Sequence, residues 1–220
     1  MAYLLGYLFA DGSLENSAYM RGKYLRATSI DKDIIINMKN LLKSDHTVFS
    51  LDPLWPNGKV RYGIRIGNRY IYDSLIKLRL FPNKSLTMEF PVIPEKYLCD
   101  FVRGYFDGDG CVYINMAKGI RGQPIIKKLT IIFTSGSKRF LKELARVLQM
   151  SVGLNHIKIY DSHRSFQLRY TTADSVKLFK FFYSNTDSQF YLKRKFKIFE
   201  KYFKLRPTRM DASIIRILKN

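Results

Sequence analysis

Cysteine is scarce in this chain: Cys99 and Cys111 are the two, and the histidines are three and scattered, His46, His156 and His163. That excludes a disulfide framework and a Cys/His zinc centre, and it predicts a reducing compartment. Long hydrophobic runs are missing too. The apolar content of 46% is broken into short stretches, so no segment is expected to span a membrane and none reads as a secretory leader. The expected location is intracellular, a prokaryotic cytoplasm or an organelle matrix. Acid is the third shortage. Eighteen Asp and Glu face thirty-eight Lys and Arg, a formal charge of +20. The excess is uneven: residues 1–97 carry 14 basic and 9 acidic side chains, and residues 98–220 carry 24 and 9. A folded, aromatic-rich chain with this balance predicts a polyanion partner. A membrane surface fits less well, because no Lys/Arg-rich amphipathic helix stands out in the sequence.

What is present is a repeat. Leu4-Leu5-Gly6-Tyr7-Leu8-Phe9-Ala10-Asp11-Gly12 and Val102-Arg103-Gly104-Tyr105-Phe106-Asp107-Gly108-Asp109-Gly110 lie 98 residues apart. Each places an Asp-Gly pair five residues after a Gly that precedes Tyr. The order around them repeats as well. After the first motif the pattern predicts strands at 13–18 and 23–29 with a turn near Arg21-Gly22, then a helix over 29–42 opened by Ser29 or Asp31. Strands at 47–51 and 60–66 and a helix at 71–78 complete the half. After the second motif come strands at 111–116 and 126–134, a helix from about 134 to 149, strands at 156–160 and 165–170, and a helix at 173–183. The prediction is an α+β protein of two pseudo-symmetric α-β-β-α-β-β-α halves. The expected division is residues 1–90 and 91–220, with a proline-bearing joint at 80–97 and a short amphipathic helix at 212–218 in the tail.

Alternation in the strands predicts orientation. Leu25 and Ala27, Val60, Tyr62, Ile64 and Ile66, Leu129, Ile131 and Phe133, and Phe166, Leu168 and Tyr170 form apolar faces for helices to cover. Tyr24, Arg26, Thr28, Lys59, Arg61, Arg65, Lys128, Thr130, Lys158, Gln167 and Arg169 take the opposite, open faces, with Lys118 and Arg121 in a basic loop. These faces carry no acid in this reading, which favours DNA over bare solvent. A β-ribbon fits the major groove, where Arg reads guanine and Gln reads adenine.

In the motifs, Gly6 and Ala10, and Gly104 and Gly108, have the four-residue spacing that lets helix backbones cross closely. Asp11 and Asp109 would then end two packed helices. A carboxylate in a last turn opposes the helix dipole at about 0.3–1 kcal/mol, and two adjacent ones repel. A divalent ion offsets both. Mg²⁺ takes hard oxygens, commonly one or two carboxylates with substrate phosphates, and such ions assist in-line phosphodiester displacement.

The two segments resemble the paired motif of LAGLIDADG homing endonucleases in their single-chain form. The resemblance implies a saddle of two antiparallel sheets around a central two-helix interface. It implies a monomeric, site-specific endonuclease that cuts double-stranded DNA across the minor groove of a long asymmetric target, leaving 3′ overhangs, in the service of intron homing. Asp11 and Asp109 would hold the metal, with the main-chain carbonyls of Ala10 and Gly108 as further ligands. Mg²⁺ would be the cofactor, Mn²⁺ its substitute, and Ca²⁺ a non-cleaving ligand. Lys84, in Leu80-Phe81-Pro82-Asn83-Lys84-Ser85, and Lys193, in Tyr191-Leu192-Lys193-Arg194-Lys195, match the central lysines beside the scissile phosphates. Asp107 matches a non-catalytic acidic position. An intron RNA maturase, with intron RNA as partner, and an inactive DNA-binding regulator are the alternatives the same fold allows.

Overall fold

The computed structural model describes residues 1–17, 22–155, 158–186 and 190–219. Ala18, Arg21 and His156, in the expected turn and strands, lie outside the described residues. The chain divides into two compact units, Met1–Gly108 and Asp109–Asn220.

The first unit opens with α1 (Ala2–Asp11), which runs directly into β1 (Gly12–Ser17) and β2 (Gly22–Ser29). Helix α2 (Lys32–Leu41) starts after Asp31, whose N–H is held by Ser29 Oγ at 3.1 Å. Strands β3 (Phe49–Leu51) and β4 (Arg61–Gly67) follow, then α3 (Arg69–Lys77), where the Asn68 side chain accepts from the Ile71 N–H at 3.0 Å. The sheet order is β1-β2-β4-β3, antiparallel throughout. Leu25, Ala27, Ile64 and Ile66 are buried beneath the helices as their alternation predicts. Lys23 shares their side but sits at the strand end, where its ammonium pairs with Asp73 of α3 at 2.5 Å. Val60 falls outside β4 and is exposed.

The expected joint is not featureless. Asn83 adopts a left-handed conformation, φ 54°, which a short polar side chain tolerates. It turns the chain into a single 3₁₀ turn, Lys84–Leu86. The segment then enters α4 (Glu95–Asp109), the second motif helix. This helix packs on α1 within the first unit. A Cβ built on Gly6 would overlap the Phe101 carbonyl, and one built on Gly104 would overlap the Tyr3 carbonyl. The two contacts are reciprocal: Phe101 stands 98 residues after Tyr3, as Gly104 does after Gly6. Backbone meets backbone there, and glycine at both crossing points is a steric requirement.

The second unit repeats the order with β5 (Gly110–Lys118), β6 (Pro124–Ser135), α5 (Lys138–Val152), β7 (Ile159–Ser162), β8 (Ser165–Thr171) and α6 (Thr172–Tyr183). Its sheet order, β5-β6-β8-β7, is that of the first. Leu129, Ile131, Phe133, Leu168 and Tyr170 are buried. Beyond the expected pattern lies α7 (Lys193–Leu205), a thirteen-residue helix. Phe196, Phe199 and Phe203 of α7 pack on Phe179 of α6 with ring centroids 4.9–5.9 Å apart. Helix α8 (Ala212–Lys219) lies against α6, buries Ile214 and Ile217, and is tied by Lys180 to Asp211. Among the described residues, no helix is long and apolar enough to cross a membrane.

Candidate metal centre and nucleic-acid interface

Helix α1 ends at Asp11 because Gly12 leaves the helical region, φ −82° and ψ 148°, while its N–H still bonds to the Leu8 carbonyl. That places the Asp11 carboxylate, exposed, where helix becomes strand. Tyr7, one turn earlier, is buried, and its Oη reaches the Thr28 carbonyl at 3.5 Å. Burial pushes the Tyr7 phenol well above its ordinary range, and the Asp11 carboxylate pushes the same way. Gly108 of α4 closes on this end of α1. A Cβ there would collide with that of Ala10 and stand 3.3 Å from Asp11 Oδ2. Asp109 is half-buried, ends α4 and precedes Gly110, the first residue of β5.

Lys84 is 8% exposed, and its Nζ donates to the Gly12 carbonyl at 2.5 Å and to the Ala10 carbonyl at 3.4 Å. The expected central lysine of the first half therefore sits on the main chain either side of Asp11. In the second half the lysine in the matching position is Lys195, two residues after the expected Lys193. Lys195 is 3% exposed and donates from Nζ to the Gly110 carbonyl at 2.6 Å. Lys193 opens α7 on its exposed side. The physical reason is helical phase: Lys195 falls in line with Phe199, Tyr202 and Phe203, the buried stripe of α7, and Lys193 does not. Recognising α7 as a helix would have revealed this, since one lysine interrupts its apolar face.

The open sheet faces hold most of the expected contact residues, with two corrections. The first face does carry an acid. Glu15 of β1 pairs with Arg65 at 2.8 Å and Arg26 at 3.6 Å, and Arg65 also lies 3.9 Å from the Tyr24 ring centroid. Thr28 shares this face, and Arg61 on β4 reaches the Asp52 carbonyl at 3.4 Å. Among the described residues, the matching cluster on the second face holds no acid. Arg169 donates to Gln167 Oε1 at 2.9 and 2.7 Å and lies 4.9 Å from the Tyr160 ring centroid, while Gln167 reaches Ser162 at 3.4 Å. The second correction is Thr130, which is 2% exposed rather than open to solvent. It sits mid-strand in β6, flanked on both sides by Tyr113 of β5 and Thr171 of β8. Lys128 on the same strand is half-exposed, and Lys59, Lys118, Arg121 and Lys158 are exposed.

Residues 96–181 match the LAGLIDADG-like domain family. No curated protein matches the chain. Among solved structures, the I-LtrWI LAGLIDADG homing endonuclease bound to target DNA aligns with a TM-score of 0.62 at 12% identity, covering 99% of this chain and 95% of that one. I-SmaMI, bound to an uncleaved DNA target in the presence of calcium ions, aligns at 0.62 and 13%, covering 99% and 96%. Mesophilic variants of the homing endonuclease I-DmoI align at 0.55 and 17%, covering 84% and 90%. At these identities the likeness is one of fold. The chain thus carries a LAGLIDADG-like domain over residues 96–181 and, across both of its four-stranded sheets, the fold of the LAGLIDADG homing endonucleases.

Proposed function

We propose that the protein is a site-specific endonuclease of double-stranded DNA, using divalent ions held by Asp11 and Asp109. The observation that carries this reading is the repetition of one constellation. In each half an aspartate ends the motif helix, and the carbonyl of the next residue accepts from a buried lysine: Lys84 on Gly12, Lys195 on Gly110. A merely structural Asp-Gly helix end needs no buried ammonium beside it, let alone twice.

The donors suit a hard ion. Carboxylate oxygens of Asp11 and Asp109, with the Ala10 and Gly108 carbonyls, are the ligand type that Mg²⁺ and Mn²⁺ take while phosphate oxygens complete the shell. Among the described residues no group of three or more His, Cys, Asp or Glu side chains gathers, so the substrate would be needed to finish the site. When bound, the metal supplies charge neutralisation and a water of lowered pKa. The chain's own part is to fix the carboxylates by the crossing of α1 on α4. Lys84 and Lys195 set positive charge at the helix ends, where phosphate charge develops during displacement. The role first given to Lys193 passes to Lys195 in this reading.

The open faces supply recognition. Arg65 is held by Glu15 and Tyr24, Arg169 by Gln167 and Tyr160. These two settings differ in charge, which supports an asymmetric target read by a monomer. The DNA in the I-LtrWI and I-SmaMI structures, and the calcium ions present with the latter, support the same substrate and ion class here.

The test is selection from a randomised duplex library with Mg²⁺, followed by Asp11→Asn and Asp109→Asn. Cleavage by the wild type, its loss in both variants, and binding retained in Ca²⁺ are the expected results. Cutting that survives either substitution would remove the metal assignment.

A further inference from the structure

Helix α7 bears a feature that the proposed target site does not use. Its sequence, Lys193–Leu205, holds six basic residues and one acid, Glu200. With 3.6 residues per turn, Lys193, Lys197, Lys201 and Lys204 fall within an arc of about 80° over roughly 16 Å of helix. All four are exposed, and Lys197, Glu200, Lys201, Lys204 and Leu205 line a shallow depression of about 510 Å³. The opposite side of α7 carries Phe199 and Phe203, which pack on α6, whose Phe182 in turn lies 6.5 Å from Phe133 on the covered side of the second sheet. The lysine stripe therefore points away from α6 and belongs to no open sheet face.

Like charges at i, i+4 destabilise a helix by a few tenths of a kcal/mol each. On α7 a single acid, Glu200, stands three residues from Lys197 and four from Lys204, so against four lysines the stripe keeps a net positive charge that suits a negative ligand. The ligand is extended, since the cations form a line rather than a cup. A membrane is disfavoured because surface-binding helices insert an apolar face, and that of α7 is already buried on α6.

We infer that the outer face of α7 is a second, sequence-independent site for the phosphate backbone of duplex DNA. The inference rests on the endonuclease reading for its ligand class. The experiment uses the full chain with a random-sequence 30-base-pair duplex. Lysine acetylation read by mass spectrometry with and without duplex should show Lys197, Lys201 and Lys204 protected. The triple variant Lys197→Gln, Lys201→Gln, Lys204→Gln should bind with a salt slope lower by about 2–3, since each phosphate left unneutralised removes about 0.9. Its thermal midpoint should match or exceed that of the wild type, which separates impaired binding from impaired folding. An unchanged slope with these lysines unprotected, while Lys128 and Lys158 are protected, overturns the inference and leaves the endonuclease reading intact. Absence of any duplex binding overturns both. Protection by an RNA hairpin or by anionic phosphatidylserine vesicles but not by duplex DNA overturns the assignment of ligand.

Discussion

Tyr3 donates its phenol hydrogen to Asp107 Oδ2 at 2.9 Å in the buried crossing of α1 and α4. Moving both residues by the 98-residue repeat gives Phe101 and Phe9, and these two also touch, edge to face, with centroids 5.4 Å apart. One contact of the repeat is thus polar and its mate apolar. The acid that breaks the repeat at Asp107 accepts, through one of its two oxygens, from the hydroxyl that breaks it at Tyr3. The pair fits α1 to α4 more specifically than two identical helices would fit each other.

Tyr3→Phe should therefore destabilise the protein by about 1–3 kcal/mol at neutral pH, the cost of withdrawing a donor from a buried acceptor. Urea unfolding of the two proteins measures it. A change below a few tenths of a kcal/mol would mean that the hydrogen bond contributes nothing net.

The same site makes stability fall at alkaline pH. Burial first, and then the Asp107 carboxylate, hold the Tyr3 phenol well above its ordinary range, and burial raises Tyr7 and Tyr170 likewise. Burial also pushes the Cys99 thiol up to about 11. A group raised in the folded state contributes stability that is complete below its unfolded pKa and is lost as pH climbs toward the folded one. Stability should accordingly decline from about pH 9 upward, first through Cys99 and then through the tyrosines, whose unfolded value is about 10. Thermal midpoints between pH 8 and 11 follow it, and Cys99→Ser should flatten the lower part of the curve.

At the crossing itself, Gly6→Ala or Gly104→Ala sets a methyl against a carbonyl of the facing helix. Overpacking typically costs about 1–3 kcal/mol, and backbone yields less than a side chain does. Each variant should lose at least the upper figure and, by separating α1 from α4, lose cleavage with it. Chemical denaturation and a nicking assay measure the two effects.

The lysines divide cleanly. Lys195→Met should lower cleavage about 10²–10³-fold, the scale of removing one positioned electrostatic donor. Lys193→Met should leave the rate within a few-fold of wild type. A loss at Lys193 with none at Lys195 would return the second-half role to Lys193. Single-turnover rates at saturating protein separate chemistry from binding.

On the sheets, Arg65→Ala and Arg169→Ala should each relax base preference at particular target positions by about 1–3 kcal/mol. Glu15→Gln should alter preference at the Arg65 position and, more weakly, at the Arg26 position, because Glu15 pairs with both guanidiniums. Affinities across a library of single-base target variants give the answer. A uniform weakening across all targets would make both arginines phosphate contacts.

The legible parts of this molecule are those that local chemistry decides. Gly6 and Gly104 announce a close helix crossing by spacing alone. The strands declare their covered faces through Leu25, Ala27, Ile64, Ile66, Leu129, Ile131 and Phe133, because alternation is a property of the extended backbone. Lys84 stands out through the family resemblance of Leu80-Phe81-Pro82-Asn83-Lys84-Ser85 rather than through any local pattern. Neighbours remote in sequence decide the rest. Glu15 lies 50 residues from Arg65, and Thr130 is buried by strands on either side. Lys195 is hidden among the other lysines of α7, and only the helical phase of that segment sets it apart from Lys193.

The sequence by itself determined the duplicated α+β architecture, the basic character of the chain, and the two aspartates that end its motif helices, since each follows from backbone periodicity or from counting charge. Tertiary structure alone decided which lysine reaches a strand-opening carbonyl, which arginines are tied to Glu15 or Gln167, and which way the lysines of α7 point. Those outcomes depend on packing between segments far apart along the chain, and no local pattern of residues encodes the distance between them.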